Sequence, residues 1–61
     1  MTTWRIVHAD IEQTPNGVKV SYLNMFGRVI DVGDYSNLAE AEETIRWAER
    51  NQKSPIQVTK P

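Results

Sequence analysis

The chain has 61 residues and a formal net charge of −1, with one histidine and no cysteine. That length allows one domain at the small end of what folds unaided. The composition excludes a disulfide staple, a thiolate metal site and a histidine-based zinc site, offers little positive field for nucleic acid, and contains no apolar run of membrane-spanning length. Ordering such a chain costs about 1.5 kcal/mol per residue, roughly what its apolar burial returns, so oligomerisation is the staple still open to it. Met1-Thr2-Thr3-Trp4-Arg5 has neither the basic start nor the apolar core of a secretory signal, and a soluble cytoplasmic protein is the expectation.

Residues 3–13 carry Trp4, Ile6, Val7 and Ile11, a β-branched and aromatic run that predicts a first strand. Its imperfect alternation suggests a bulge, or cover on both faces. Thr14-Pro15-Asn16-Gly17 is turn chemistry. Residues 18–25 alternate cleanly, with Val18, Val20 and Tyr22 on one face and Lys19, Ser21 and Leu23 on the other. Phe26-Gly27 is the next turn, with Gly27 the residue expected at positive φ. Residues 28–33 hold Val29, Ile30 and Val32 and read as a third strand. Gly33-Asp34 ends it, and Tyr35-Ser36 leads into a helix.

That helix is predicted over residues 37–52, where Leu38, Ala41, Ile45 and Ala48 share one face at 3.6-residue spacing. Asn37 supplies the cap, and Glu40 stands three residues on. Glu40, Glu42 and Glu43 crowd the first half while Arg46, Arg50 and Lys53 follow, an order that suits the helix dipole. Pro55 then enforces a break, and residues 56–59 form a short fourth strand. The expected fold is α+β in a single domain over residues 1–61: an antiparallel sheet with one helix packed on one face, in the order β-β-β-α-β. Its expected core joins Val18, Val20 and Tyr22 to Leu38, Ala41, Ile45 and Ala48. Trp47 flanks the helix stripe; it is expected to extend the core, with a contact to a partner as the alternative.

Gly27-Arg28-Val29-Ile30, then Tyr35-Ser36, Ala41-Glu42, Ile45 and Asn51, resembles the YegP-like family of small domains of uncharacterised function. The resemblance spans roughly residues 17–58 and rests on short motifs. It implies three strands, a helix and a fourth strand, with two units joined into one sheet by exchange of their last strands. The chain departs from the pattern at Phe26, where asparagine is usual, at Arg28, where an acid is common, and by one residue fewer between Gly27 and Tyr35. The family brings no catalytic residues.

His8 shares a strand face with Asp10, and Ser21 could lie across from them, but such spacing constrains geometry weakly and the plainer reading is a surface histidine. No catalytic residue and no hydroxyl within reach of His8 are expected. Asp31 with Asp34, or Asp10 with Glu12, lack the surrounding loop of a cation site and read as turn and solubility residues; no metal and no cofactor are expected. The glycines are isolated, so no phosphate loop is present. On the helix, Glu42 with Arg46, Glu43 with Arg46, and Glu49 with Lys53 are expected to pair, which favours a solvated face over an acidic mimic. Arg5, Lys19 and Arg28 are the candidate contacts for nucleic acid on the open sheet face, a thin set against an acidic total.

The function expected is a non-enzymatic interaction or assembly module acting as a homodimer. The alternatives are a phage-type inhibitor of a host enzyme working through the acidic helix, and a weak nucleic-acid binder. Trp47, Arg5, Lys19 and Arg28 are the candidate partner-binding residues, and Ile56 and Val58 mark the strand expected to be shared between two copies.

Overall fold

A computed structural model describes residues 5–61 of the chain. Trp4 lies outside the described residues. Strands β1 (His8–Thr14), β2 (Gly17–Leu23) and β3 (Val29–Tyr35) precede helix α1 (Leu38–Gln52), and β4 (Gln57–Thr59) follows it. The four strands form one sheet in the order β3-β2-β1-β4. The fold is therefore α+β, with the expected element order and one helix on the sheet.

The sheet is mixed. β1, β2 and β3 form an antiparallel meander, whereas β4 runs parallel to β1. The expectation of an antiparallel sheet is corrected here, and the reason is the crossover. A single helix carries the chain back along its length, so β4 starts at the same end as β3 and shares its direction. Two hairpins separate β3 from β1, which therefore point the same way, and a strand added beside β1 must be parallel.

The pairing of β1 with β2 is regular from His8 to Thr14, so of the two readings of the first strand the bulge does not occur there; a register shift lies in β3. Tyr22 pairs with Asp31 and Leu23 with Val29, leaving Ile30 as the extra residue. That shift turns Ile30 toward the core, where it packs against the buried cluster. Gly17 opens β2 at φ 148, and a side chain there would run into the carbonyls of Tyr35 and Ser36. Gly27 adopts φ 77, as expected of the second turn.

The core consists of Ala9 and Ile11 from β1, Val18, Val20 and Tyr22 from β2, Ala41 and Ile45 from α1, and Ile56 just before β4. Val18, Val20 and Tyr22 project to one face as their alternation requires, and α1 lies over β2 and β3. Ala48 packs at the margin. Leu38 does not belong to this core: at the first position of α1 it is 37% exposed. Tyr22 and Tyr35 join hydroxyls at 2.9 Å, and burial, first of all, raises the Tyr22 pKa.

Both ends of α1 are capped, the first by a side chain and the last by the backbone. Asn37 Oδ1 accepts from Glu40 N at 2.9 Å at the N-terminus. At the other end Lys53 takes the left-handed conformation, φ 57, and its N–H donates to the Glu49 carbonyl. Two further contacts bind the helix end to the sheet. The Gln52 amide grips Ile6, accepting from its N–H at 3.0 Å and donating to its carbonyl at 2.7 Å. The Glu49 carboxylate accepts from Ile56 N at 2.8 Å.

Ile45→Ala should cost about 2–5 kcal/mol, a large part of the stability of so small a domain. Denaturant melts will show this as loss of the folded baseline; near-wild-type melting would mean that α1 packs by another stripe. Lys53→Gly should act in the opposite direction. Glycine holds φ 57 without a clashing Cβ, so the variant should gain about 0.5–1 kcal/mol and melt several degrees higher.

Candidate functional site

The side chains named by the sequence fall on three separate surfaces. The first is the outer face of α1. Trp47 lies two residues beyond Ile45, about 200° round the helix axis, and so points away from the sheet. It is 59% exposed, which corrects the expectation that it extends the core. Glu40, Glu43, Thr44 and Trp47 line a shallow groove of about 340 Å³ along this face. The polar groups at its margins are tied to the helix backbone: Thr44 Oγ1 donates to the Glu40 carbonyl and Asn51 Nδ2 to the Trp47 carbonyl.

The charge pairs expected on α1 form only in part. Glu42 does meet Arg46, at 3.9 Å, but it is held more closely by Lys60 Nζ at 2.9 Å. Among the described residues Glu40 and Glu43 enter no ion pair. Glu49 turns to the Ile56 amide rather than to Lys53. The helix therefore presents more uncompensated negative charge beside Trp47 than the sequence pattern suggests.

The second surface is the β2–β3 tip. Met25 and Phe26 are 70% and 69% exposed, unusual for residues of this size at a turn. They are held out by Asn24, which is buried. Its Oδ1 accepts from Phe26 N at 2.9 Å and Arg28 N at 3.0 Å, while its own N–H donates to the Arg28 carbonyl. Side-chain capture of two backbone donors fixes the loop in one conformation. Sequence reading placed the turn here but missed Asn24; the signal was an asparagine three residues before Gly27. Arg28 follows the tip and is exposed.

The third surface is the sheet face away from α1. Strand register sets its side chains in rows across the sheet. Lys19 stands between Glu12 and Asp34, Asp10 between Thr59 and Ser21, and His8 between Gln57 and Leu23. The basic set Arg5, Lys19 and Arg28 is not gathered into a stripe. Lys19 has a carboxylate-bearing residue on each side, Arg5 precedes β1, and Arg28 lies at the tip. A phosphate backbone would meet acids wherever it met Lys19, so the open face is poorly suited to nucleic acid.

The expectation that His8 meets no hydroxyl is overturned. Thr59 Oγ1 lies 2.8 Å from His8 Nε2, brought there by the parallel pairing of β4 with β1. The contact is a two-residue hydrogen bond on an exposed face. Among the described residues no carboxylate bonds to the far ring nitrogen to orient it, as a nucleophile–base pair needs. No group of three or more acidic, histidine or cysteine side chains among the described residues is placed to hold a metal, and no helix is long and apolar enough to cross a membrane.

Of the residues expected to be shared between copies, Ile56 is buried in the core of its own chain. Val58 is half-open beside Ile45, in a second shallow groove that Glu42, Arg46, Glu49 and Lys60 complete. No protein-family model, curated protein or solved structure matches the chain.

The Lys60 contact sets the acidity of Glu42. The hydrogen bond and charge of Lys60 hold that carboxyl below its ordinary range. The sign follows: its contribution is present at neutral pH and is lost as pH falls through the folded-state pKa. In Lys60→Ala the Glu42 midpoint, followed by NMR titration, should rise toward the free-carboxylate value; an unmoved midpoint would place the cause elsewhere.

Proposed function

We propose that this chain is a small non-enzymatic interaction module that works as a homodimer, with the outer face of α1 as its binding surface. The observation that carries the reading is Trp47. Tryptophan is the side chain most often found to dominate binding energy at interfaces, and here it stands 59% exposed on a helix fixed at both ends. Exposure of so large an apolar group gains nothing for a monomer in water. The YegP-like resemblance, which implies paired units, supports the same assembly.

Exchange of β4 between two copies is one route to it. The β1–β4 pairing would then run between chains, and opening the connection would release Lys53 from its left-handed backbone. Against exchange stand the tethers of that connection: Ser54 N to the Glu49 carbonyl, Gln52 Nε2 to the Ser54 carbonyl, and Ile56 N to the Glu49 carboxylate.

Light scattering on the intact chain and on a chain ending at Ser54 tests the reading. A concentration-dependent dimer is expected for the intact chain. A monomer at the highest attainable concentration overturns the homodimer. A shortened chain that dimerises with unchanged stability removes strand exchange alone. Trp47→Ala should alter the melting free energy by less than about 0.5 kcal/mol, the usual limit for exposed positions, while lowering self-association.

A further inference from the structure

We infer that the groove beside Trp47 receives the β2–β3 tip of a second copy of this chain. Phe26 and Met25 lie against the Trp47 indole, and Arg28 lies between the Glu40 and Glu43 carboxylates. The inference rests on the homodimer reading above and names the surface that makes it.

The two surfaces match in chemistry. The groove offers one exposed aromatic ring with two carboxylates that no cation engages among the described residues. The tip offers an exposed aromatic ring, a thioether and, two residues on, an exposed guanidinium. Ring against ring and sulfur against ring are favourable contacts. Guanidinium meets both the face of tryptophan and a carboxylate well, and a fork of donors suits a pair of acids.

Both surfaces are also held rigid before they meet. Asn24 fixes the tip with two accepted hydrogen bonds, and the groove is built on a capped helix. Little backbone order remains to be lost on docking.

Val7 N donates to the Leu23 carbonyl, next to the tip, and Ile6 is gripped by Gln52 near the end of α1. The tip and the last turns of α1 therefore occupy the same end of the molecule. The groove itself spans residues 40–47, from the first turn of α1 to its middle, so a reciprocal contact needs the two copies to overlap along their helices about a two-fold axis, and a tip and groove exchanged in that way close into a dimer rather than a fibre. A net charge of −1 opposes this weakly. Each patch is a few side chains, so the association belongs at the weak end of specific interfaces, roughly micromolar.

Sedimentation analysis across a concentration series tests this with the full chain, alongside a thermal melt of every variant. Arg28→Glu and Glu43→Lys should each weaken self-association about tenfold or more, and the double variant Arg28→Glu/Glu43→Lys should recover most of the loss, the signature of a direct charge pair. Trp47→Ala and Phe26→Ser should abolish the dimer while melting close to wild type. Should Phe26→Ser fail to fold, the charge reversal still decides. A dimer indifferent to all of these substitutions, or no recovery in the double variant, overturns the tip-in-groove contact and leaves a homodimer built through another surface. A wild-type chain that is monomeric throughout overturns both.

Discussion

The burial of Ile45 of α1 and Val20 of β2 in one cluster is the constraint on which the rest of the structure depends. These are the largest fully buried side chains, and they join α1 to the centre of the meander. Everything else is attached to that junction. The helix has its place on the sheet because Ile45 and Ala41 join Ala9, Val18 and Val20 in the buried cluster. Its direction then dictates that β4 arrives parallel to β1. Among the described residues there is no second buried cluster to fall back on, and in a domain this small the area buried only just offsets the entropy of ordering it.

Much of this architecture was legible in the sequence. The 3.6-residue spacing of Ala41, Ile45 and Ala48 marked the buried stripe, Asn37 marked its start, and the alternation of Val18, Val20 and Tyr22 marked the face that it covers. Gly27 marked the turn. What failed did so for identifiable reasons. Leu38 fits the periodicity, but it is the first residue of α1, at the end of the stripe, and is left partly exposed. Imperfect alternation in the first strand left a bulge or cover on both faces open, whereas the register shift lies in β3, where Ile30 packs against the core. The orientation of β4 follows from chain reversal through one helix, an argument of topology that strand patterns alone do not contain.

The surface was less legible than the core. Trp47 sits within one turn of buried residues, and hydrophobicity alone drew it inward; its angle round the helix axis sends it outward. The acidic residues of α1 were paired by spacing, yet Lys60, remote in sequence, takes Glu42, and the Ile56 amide takes Glu49. His8 and Thr59 meet only because two strands far apart in the chain lie side by side. Contacts made across such separations cannot be counted from local spacing, and they are the ones that decide which charges remain free.

The Glu49 carboxylate has a role in how the molecule breathes. It belongs to the penultimate turn of α1, its main-chain carbonyl closes the left-handed cap, and its side chain holds the amide that leads into β4. Fraying of that turn releases the edge strand, and departure of the edge strand removes a restraint on the turn. These contacts tie the two ends of the segment together, so they are expected to open as one unit. In deuterium exchange the Ile56 amide will carry the protection of the helix terminus, although it lies outside the helix.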